Sequence, residues 1–115
     1  MKKTVTIKEN HEFRRMYSKG RNAVTPFVVV YCRRNRLGHN RLGVTVSTKL
    51  GCAVVRNRAR RRLREVFRLA QGDMCQGYDV ILVARSRAAT VPYQKLNAAF
   101  YRALGQLKLL EKTEG

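Results

Sequence analysis

Two hydrophobic rhythms alternate along this chain, and they lay out its elements. Val5 and Ile7 alternate with Thr4, Thr6 and Lys8, a short extended segment. Asn10 then offers a side-chain oxygen to cap a helix, and Phe13, Met16 and Tyr17 follow at i, i+3 and i+4. Gly20 suits the left-handed position past its end, so the spacing predicts a helix over 10–19. Pro26 blocks helix continuation, and 27–34 is rich in β-branched and aromatic residues. On that strand Phe27, Val29, Tyr31 and Arg33 share one face, and Val28, Val30, Cys32 and Arg34 the other. A turn over 36–40 leads to a strand over 41–48. There Leu42, Val44 and Val46 oppose Arg41, Gly43, Thr45 and Ser47. The pattern of the two strands predicts an antiparallel hairpin with one buried and one open face.

A third strong strand signal covers 78–85, mostly apolar and therefore interior to a sheet. Pro92 then marks a helix start. Tyr93, Leu96, Phe100, Ala103, Leu104, Leu107 and Leu110 repeat at helical spacing, which predicts an amphipathic helix of about five turns packed on the sheet. No repeat, low-complexity tract or linker interrupts the 115 residues. One mixed α+β domain over 1–115 accounts for the chain, a usual size for a single domain.

Between the second and third strands lies a segment of different character. Seven arginines and one acid, Glu65, stand between Arg56 and Arg68. On a helical wheel Val55, Ala59, Leu63, Val66, Phe67 and Ala70 fall within about 120°, enough for a core-facing stripe. Asn57, Arg60, Arg61, Arg64 and Arg68 fill an arc of about 100° beside it, and Arg58 and Arg62 flank the other edge. Arg56, Arg60, Arg64 and Arg68 form an i, i+4 row of like charges, which opposes helix formation by a few tenths of a kcal/mol per pair. A face that merely met solvent would mix Glu with Lys.

Composition sharpens this. Lys and Arg number 25 against 7 Asp and Glu, a formal charge of +18, while 44% of residues are hydrophobic. That is a folded domain with excess charge rather than a disordered tail, and the excess points to a polyanionic partner. No apolar run approaches the roughly 18 residues needed to cross a bilayer, and the N-terminus lacks the apolar core of a signal peptide. A cytoplasmic location is the expectation. Cys32, Cys52 and Cys75 are widely spaced and form no C-x-x-C pair, and only His11 and His39 could join them. No metal site is expected, and Cys32 reads as a small buried hydrophobe with the other two as free thiols.

Arginine offers a planar fork that spans two phosphate oxygens and stacks on bases. Asn57 adds a donor and an acceptor, and Lys49 stands in the loop before the helix. A DNA-binding helix-turn-helix would need a second helix close behind, but a strand follows; heptads for a basic zipper are absent. Structured RNA fits better than DNA. Phe13, Tyr17 and Tyr31 are candidates to stack unpaired bases, although ordinary core packing is the commoner role of aromatics at such positions. A structural RNA-binding protein of the ribosome and a membrane-surface binder remain the alternatives from other classes.

The run Ser47-Thr48-Lys49-Leu50-Gly51, followed by Ala53-Val54-Val55-Arg56-Asn57-Arg58-Ala59-Arg60-Arg61, resembles the signature of the bacterial ribonuclease P protein component. Asn10 to Gly20 resembles that family's first helix, and Asp79 to Arg85 its final strand. The resemblance implies a four-stranded sheet with three helices in the order αβββαβα and a left-handed βαβ crossover around the arginine helix. It implies a protein that binds a large catalytic RNA and the 5′ leader of precursor tRNA, promoting hydrolytic removal of the leader. Catalysis then resides in the RNA with Mg²⁺, held mainly by the RNA, and no residue of the chain is catalytic or ligates metal. By the same resemblance Arg56, Asn57, Arg58, Arg60, Arg61 and Arg64 face the catalytic RNA, and Lys49 in the loop and Arg68 on the same helix arc are expected to join them. Phe13, Tyr17, Tyr31 and Arg33 line the leader cleft. Neither DNA nor a membrane is an expected partner. Thr48 and Cys52 depart from the family pattern, in which Lys and Asn often stand, and any backbone contact of that loop is in question.

Overall fold

A computed structural model describes Val5 and Thr6, Arg14, Tyr17 and residues 20–111. Five strands form one mixed sheet: β1 (Val5–Thr6), β2 (Arg21–Val24), β3 (Val28–Arg34), β4 (Arg41–Thr45) and β5 (Tyr78–Ala84). Their spatial order is β1-β4-β5-β3-β2. Strands β2 to β5 are the body of the sheet, and the two-residue β1 adds to the free edge of β4. Two main helices, α1 (Ala53–Ala70) and α2 (Tyr93–Gln106), lie on one side. Helix α1 packs on β4 and β5, and α2 on β3 and β2.

The mostly apolar β5 occupies the middle, as its composition predicts. It runs antiparallel to β3, from Val28 opposite Ala84 to Arg34 opposite Tyr78. It runs parallel to β4, from Arg41 opposite Asp79 to Thr45 opposite Val83. The expected hairpin of 27–34 with 41–48 is therefore corrected: those strands are antiparallel in direction, but β5 lies between them. Alternation records which face a strand buries and carries nothing about its neighbour. Strand β2, on which only Ala23 is buried, has no alternation to reveal it.

Strand β4 ends at Thr45, short of the expected Thr48. Ser47 turns the chain instead: its Oγ accepts from the Lys49 N–H at 3.1 Å and starts a 3₁₀ turn over Thr48–Leu50. Gly51 follows at φ 141°, a conformation closed to most side chains. Helix α1 then buries Ala59, Leu63, Val66, Phe67 and Ala70, with Val55 half-buried against the core, the stripe read from the wheel. Together with Val28, Val30, Cys32, Leu42, Val80 and Leu82 from the sheet, and Leu96, Phe100 and Leu104 from α2, they make one main core. Cys32 is buried and all three cysteines are free.

Helix α2 is shorter than its apolar spacing. It stops at Gln106, and Lys108 takes a left-handed conformation at φ 58°. The Leu109 N–H then donates to Leu104 O at 2.9 Å and the Lys108 N–H to Gly105 O at 3.2 Å, the paired bonds of a Schellman end. Leu109 and Leu110 continue outside the helix, where Leu110 bridges to Met74. The expected helix over 10–19 falls mostly outside the described residues; Arg14 and Tyr17 within it are helical.

Candidate nucleic-acid interface

The sheet has one face under the helices and one face open. Alternation on β3 and β5 puts Val29, Tyr31 and Arg33, with Asp79, Ile81 and Val83, on the open face. Register stacks these residues in three cross-strand rows: Arg33–Asp79–Arg41, Tyr31–Ile81–Gly43 and Val29–Val83–Thr45. Successive rows are about 7 Å apart along the strands.

The middle of this face is apolar. Ile81 is fully buried, with Tyr31 and Val83 half-buried against it, separate from the main core. Tyr17 stands over Tyr31 edge to face, with ring centroids 4.9 Å apart at 78°. The Tyr17 hydroxyl is 3.2 Å from Thr45 Oγ1 on β4. Tyr17 is 44% exposed, far more than a core tyrosine. Two of the sequence-derived cleft aromatics therefore meet; Phe13 lies outside the described residues.

The polar row closes one end of the strip. Arg41 grips Asp79 with both sides of its fork, Nε to Oδ1 at 2.8 Å and Nη2 to Oδ2 at 2.7 Å. Asn35 Nδ2 adds a bond to Oδ1 at 2.8 Å. Burial alone would push the Asp79 carboxyl up. The hydrogen bonds from Arg41 and Asn35, and the charges of Arg41 and Arg33, outweigh burial and hold it below its ordinary value. Asn35 also accepts from the Leu37 N–H and donates to His39 O, so the same side chain shapes the 35–40 turn. Sequence reading picked Arg33 from this row and missed Asp79, Arg41 and Asn35. Facing parity on β4 and β5 was the available signal, but it requires knowing that the two strands are neighbours.

The second surface is α1. Asn57, Arg58, Arg61 and Arg64 are exposed, and Arg56, Arg60 and Arg68 are half-buried. Arg60 Nη1 donates to Asn57 Oδ1 at 3.0 Å, which fixes both side chains one turn apart. Arg68 pairs with Glu65 at i, i+3. Among the described residues no carboxylate forms an ion pair with Arg56, Arg58, Arg60, Arg61 or Arg64. Lys49 is exposed in the 3₁₀ turn that leads into the helix. Arg62 differs from the rest: its Nη1 donates to Ala88 O at 2.9 Å, and its Nη2 donates to Val91 O.

Among the described residues no three His, Cys, Asp or Glu side chains group as a metal site. No helix among them is long and apolar enough to cross a membrane.

Comparison with known proteins gives one family. The ribonuclease P family model matches residues 1–108. The ribonuclease P protein component of Natranaerobius thermophilus is 44% identical over 112 residues, covering 97% of each chain. That of Caldanaerobacter subterraneus is 40% identical over the same share of each chain. Among solved structures, the RNase P protein of Staphylococcus aureus superposes with a TM-score of 0.83 at 34% identity, over 95% of this chain and 100% of the other. The Thermotoga maritima protein gives 0.76 at 26% identity, over 96% and 98%.

Proposed function

Since this chain belongs to the ribonuclease P protein family, we propose that its two surfaces hold two RNAs, the catalytic RNA on α1 and the precursor tRNA leader on the open sheet face. As the protein component of that endoribonuclease it serves tRNA 5′ maturation. The observation that carries the division is the basic face of α1: arginines that have no ion-pair partner among the described residues, beside a stripe that packs into the core. Forks at Arg56, Arg58, Arg60, Arg61 and Arg64, with Asn57 and Lys49, present donors to phosphate oxygens over several turns. Arg68 contributes less free charge, because Glu65 shares it.

On the open face Tyr31 and Tyr17 offer ring surface to unpaired bases, and Arg33 offers a cation to the backbone beside them. Phe13 joins this cleft by family resemblance. The chain's share of the reaction is binding and placement. It positions the leader, and with it the scissile bond, against the RNA that performs hydrolysis. Mg²⁺ on this reading is the RNA's ion, and the protein offers it no cluster of ligands among the described residues. The remaining parts of the proposal follow the family: a single domain over 1–115, a first helix over 10–19 that completes the order αβββαβα, a left-handed crossover from β4 through α1 to β5, and a cytoplasmic setting without DNA or membrane as partner. Folding around one main core supports the single domain.

Reconstitution tests the reading. Adding the protein to the catalytic RNA at low Mg²⁺ should stimulate leader removal from precursor tRNA; no stimulation refutes it. In the assembled enzyme, Tyr31→Ala should weaken precursor tRNA by about 1–3 kcal/mol, the worth of one stacked base, and leave mature tRNA unchanged. Equal loss for both would make Tyr31 a structural residue.

A further inference from the structure

Arg62 is the arginine of α1 that spends its guanidinium on backbone carbonyls. It sits on the same helix as the bare guanidinium groups, yet its fork reaches across to backbone carbonyls 26 and 29 residues on, at Ala88 and Val91. The segment it grips joins β5 to α2. Within that segment the Ala88 N–H donates to Arg85 O at 2.9 Å, and the Val91 N–H to Arg87 O at 2.9 Å. These bonds satisfy the donors of a tight turn. Among the described residues no backbone N–H donates to the Ala88 or Val91 carbonyl, and both residues are buried. Arg62 supplies one donor to each.

The other side of this turn meets the end of the sheet. The Arg85 N–H donates to Phe27 O at 3.0 Å, one step past the last row of the open face. Arg85 Nη1 donates to Thr25 O at 3.0 Å in the β2–β3 turn. The Arg87 guanidinium stands 5.8 Å from the centre of the Phe27 ring. The 85–91 turn is thus clamped twice, to the sheet end through Arg85 and Arg87, and to α1 through Arg62.

We propose that Arg62 is a positioning residue for leader recognition: by holding the 85–91 turn it fixes the far end of the open face relative to the basic face of α1, and so couples the two RNA surfaces. The inference rests on the two-surface reading above. Its physical content is that the fork bridges two carbonyls at once. A lysine ammonium lacks that planar spread, and an uncharged stem of similar length keeps the packing and loses the clamp.

The test uses the protein assembled with the catalytic RNA, with Arg62→Met and Arg62→Lys beside Tyr31→Ala. Arg62→Met should lower affinity for precursor tRNA about five- to tenfold relative to mature tRNA. Affinity for the catalytic RNA and its salt dependence should stay within about twofold of the unsubstituted protein. Arg62→Lys should fall between the two. Thermal unfolding of each free variant checks that the fold persists, and amide exchange at Ala88 and Val91 should quicken in a folded Arg62→Met. A weaker, less salt-dependent complex with the catalytic RNA would mean that Arg62 touches that RNA directly, and would overturn the proposal. So would unchanged discrimination between precursor and mature tRNA. If Tyr31→Ala also fails to discriminate, the two-surface reading itself falls; if Tyr31→Ala discriminates and Arg62→Met does not, only the role of Arg62 is lost.

Discussion

The open sheet face and the basic face of α1 both carry arginine, but they treat its charge in opposite ways. On the sheet, Arg41 is locked to Asp79 in a two-point ion pair that Asn35 reinforces, and the ground beside it is Ile81, Val83 and two tyrosine rings. On the helix, Arg56, Arg58, Arg60, Arg61 and Arg64 stand without an ion-pair partner among the described residues, and Arg60 bonds to the neutral Asn57. One surface keeps charge quiet and offers flat apolar area. The other leaves charge open and offers little apolar area beyond Val54 and Leu69. Stacking needs the first arrangement and phosphate binding the second. The difference shows that +18 is not a uniform coat: a basic protein can keep neutral, apolar ground beside concentrated charge.

The comparison can be broken at its shared support. Phe67 is fully buried between α1 and the sheet, so Phe67→Ala should cost about 3–5 kcal/mol in urea unfolding and weaken binding at both proposed RNA surfaces together. Loss at one surface alone would show that they do not depend on a common core. Asp79→Asn should act on the sheet face only. It removes the acceptor charge for Arg41, a partly exposed pair, and should cost about 1–2 kcal/mol. The same pair sets an acid limit. Because the folded carboxyl lies below its ordinary 3.8, its contribution is full above about pH 4 and is lost as pH falls through the folded value. Acid unfolding of Asp79→Asn should therefore show a shallower pH dependence in that range than the unsubstituted protein.

The helix face is sharpened by contrasting arginines. Arg60→Ala with Arg64→Ala should make the salt slope of catalytic-RNA binding less steep by about one for each phosphate no longer neutralised, whereas Arg68→Ala, whose charge Glu65 shares, should move it less. Equal slopes for all three positions would mean that internal pairing does not decide which arginine meets RNA. The smallest effect is expected away from both faces. Lys108→Gly relieves a left-handed side-chain conformation and should stabilise the fold by about 0.5–1 kcal/mol without changing either RNA affinity.

Much of this was legible in the chain, for reasons that differ by element. The core stripe of α1 emerged because Val55 to Ala70 keeps strict helical spacing between charged neighbours. The interior place of β5 emerged because 78–85 is apolar on both faces. Strand pairing did not emerge, since alternation on 41–45 is the same whichever strand lies beside it. The end of α2 was hidden because Leu107, Leu109 and Leu110 stay apolar past Gln106, and the left-handed residue that stops the helix is Lys108 rather than Gly. Of the site, the arginine cluster was visible as composition. Its internal division was not, because the acceptors that remove Arg62 and Arg41 from the surface, the carbonyls of Ala88 and Val91 and the carboxylate of Asp79, are remote in sequence.

The central position of β5 also sets an order of events at birth. Strands β3 and β4 emerge from the ribosome well before the residues that will lie between them, since Val28 must wait for Ala84 and Arg41 for Asp79. Until then each has an unfilled edge, and the intervening α1 leaves the exit tunnel carrying charge that an RNA could meet first. Sheet closure is thus a late, long-range step, of the kind that slows folding and leaves strand edges exposed while it is pending. A nascent chain stalled before residue 78 should lack the protease-resistant sheet, and one extended past residue 111 should have it.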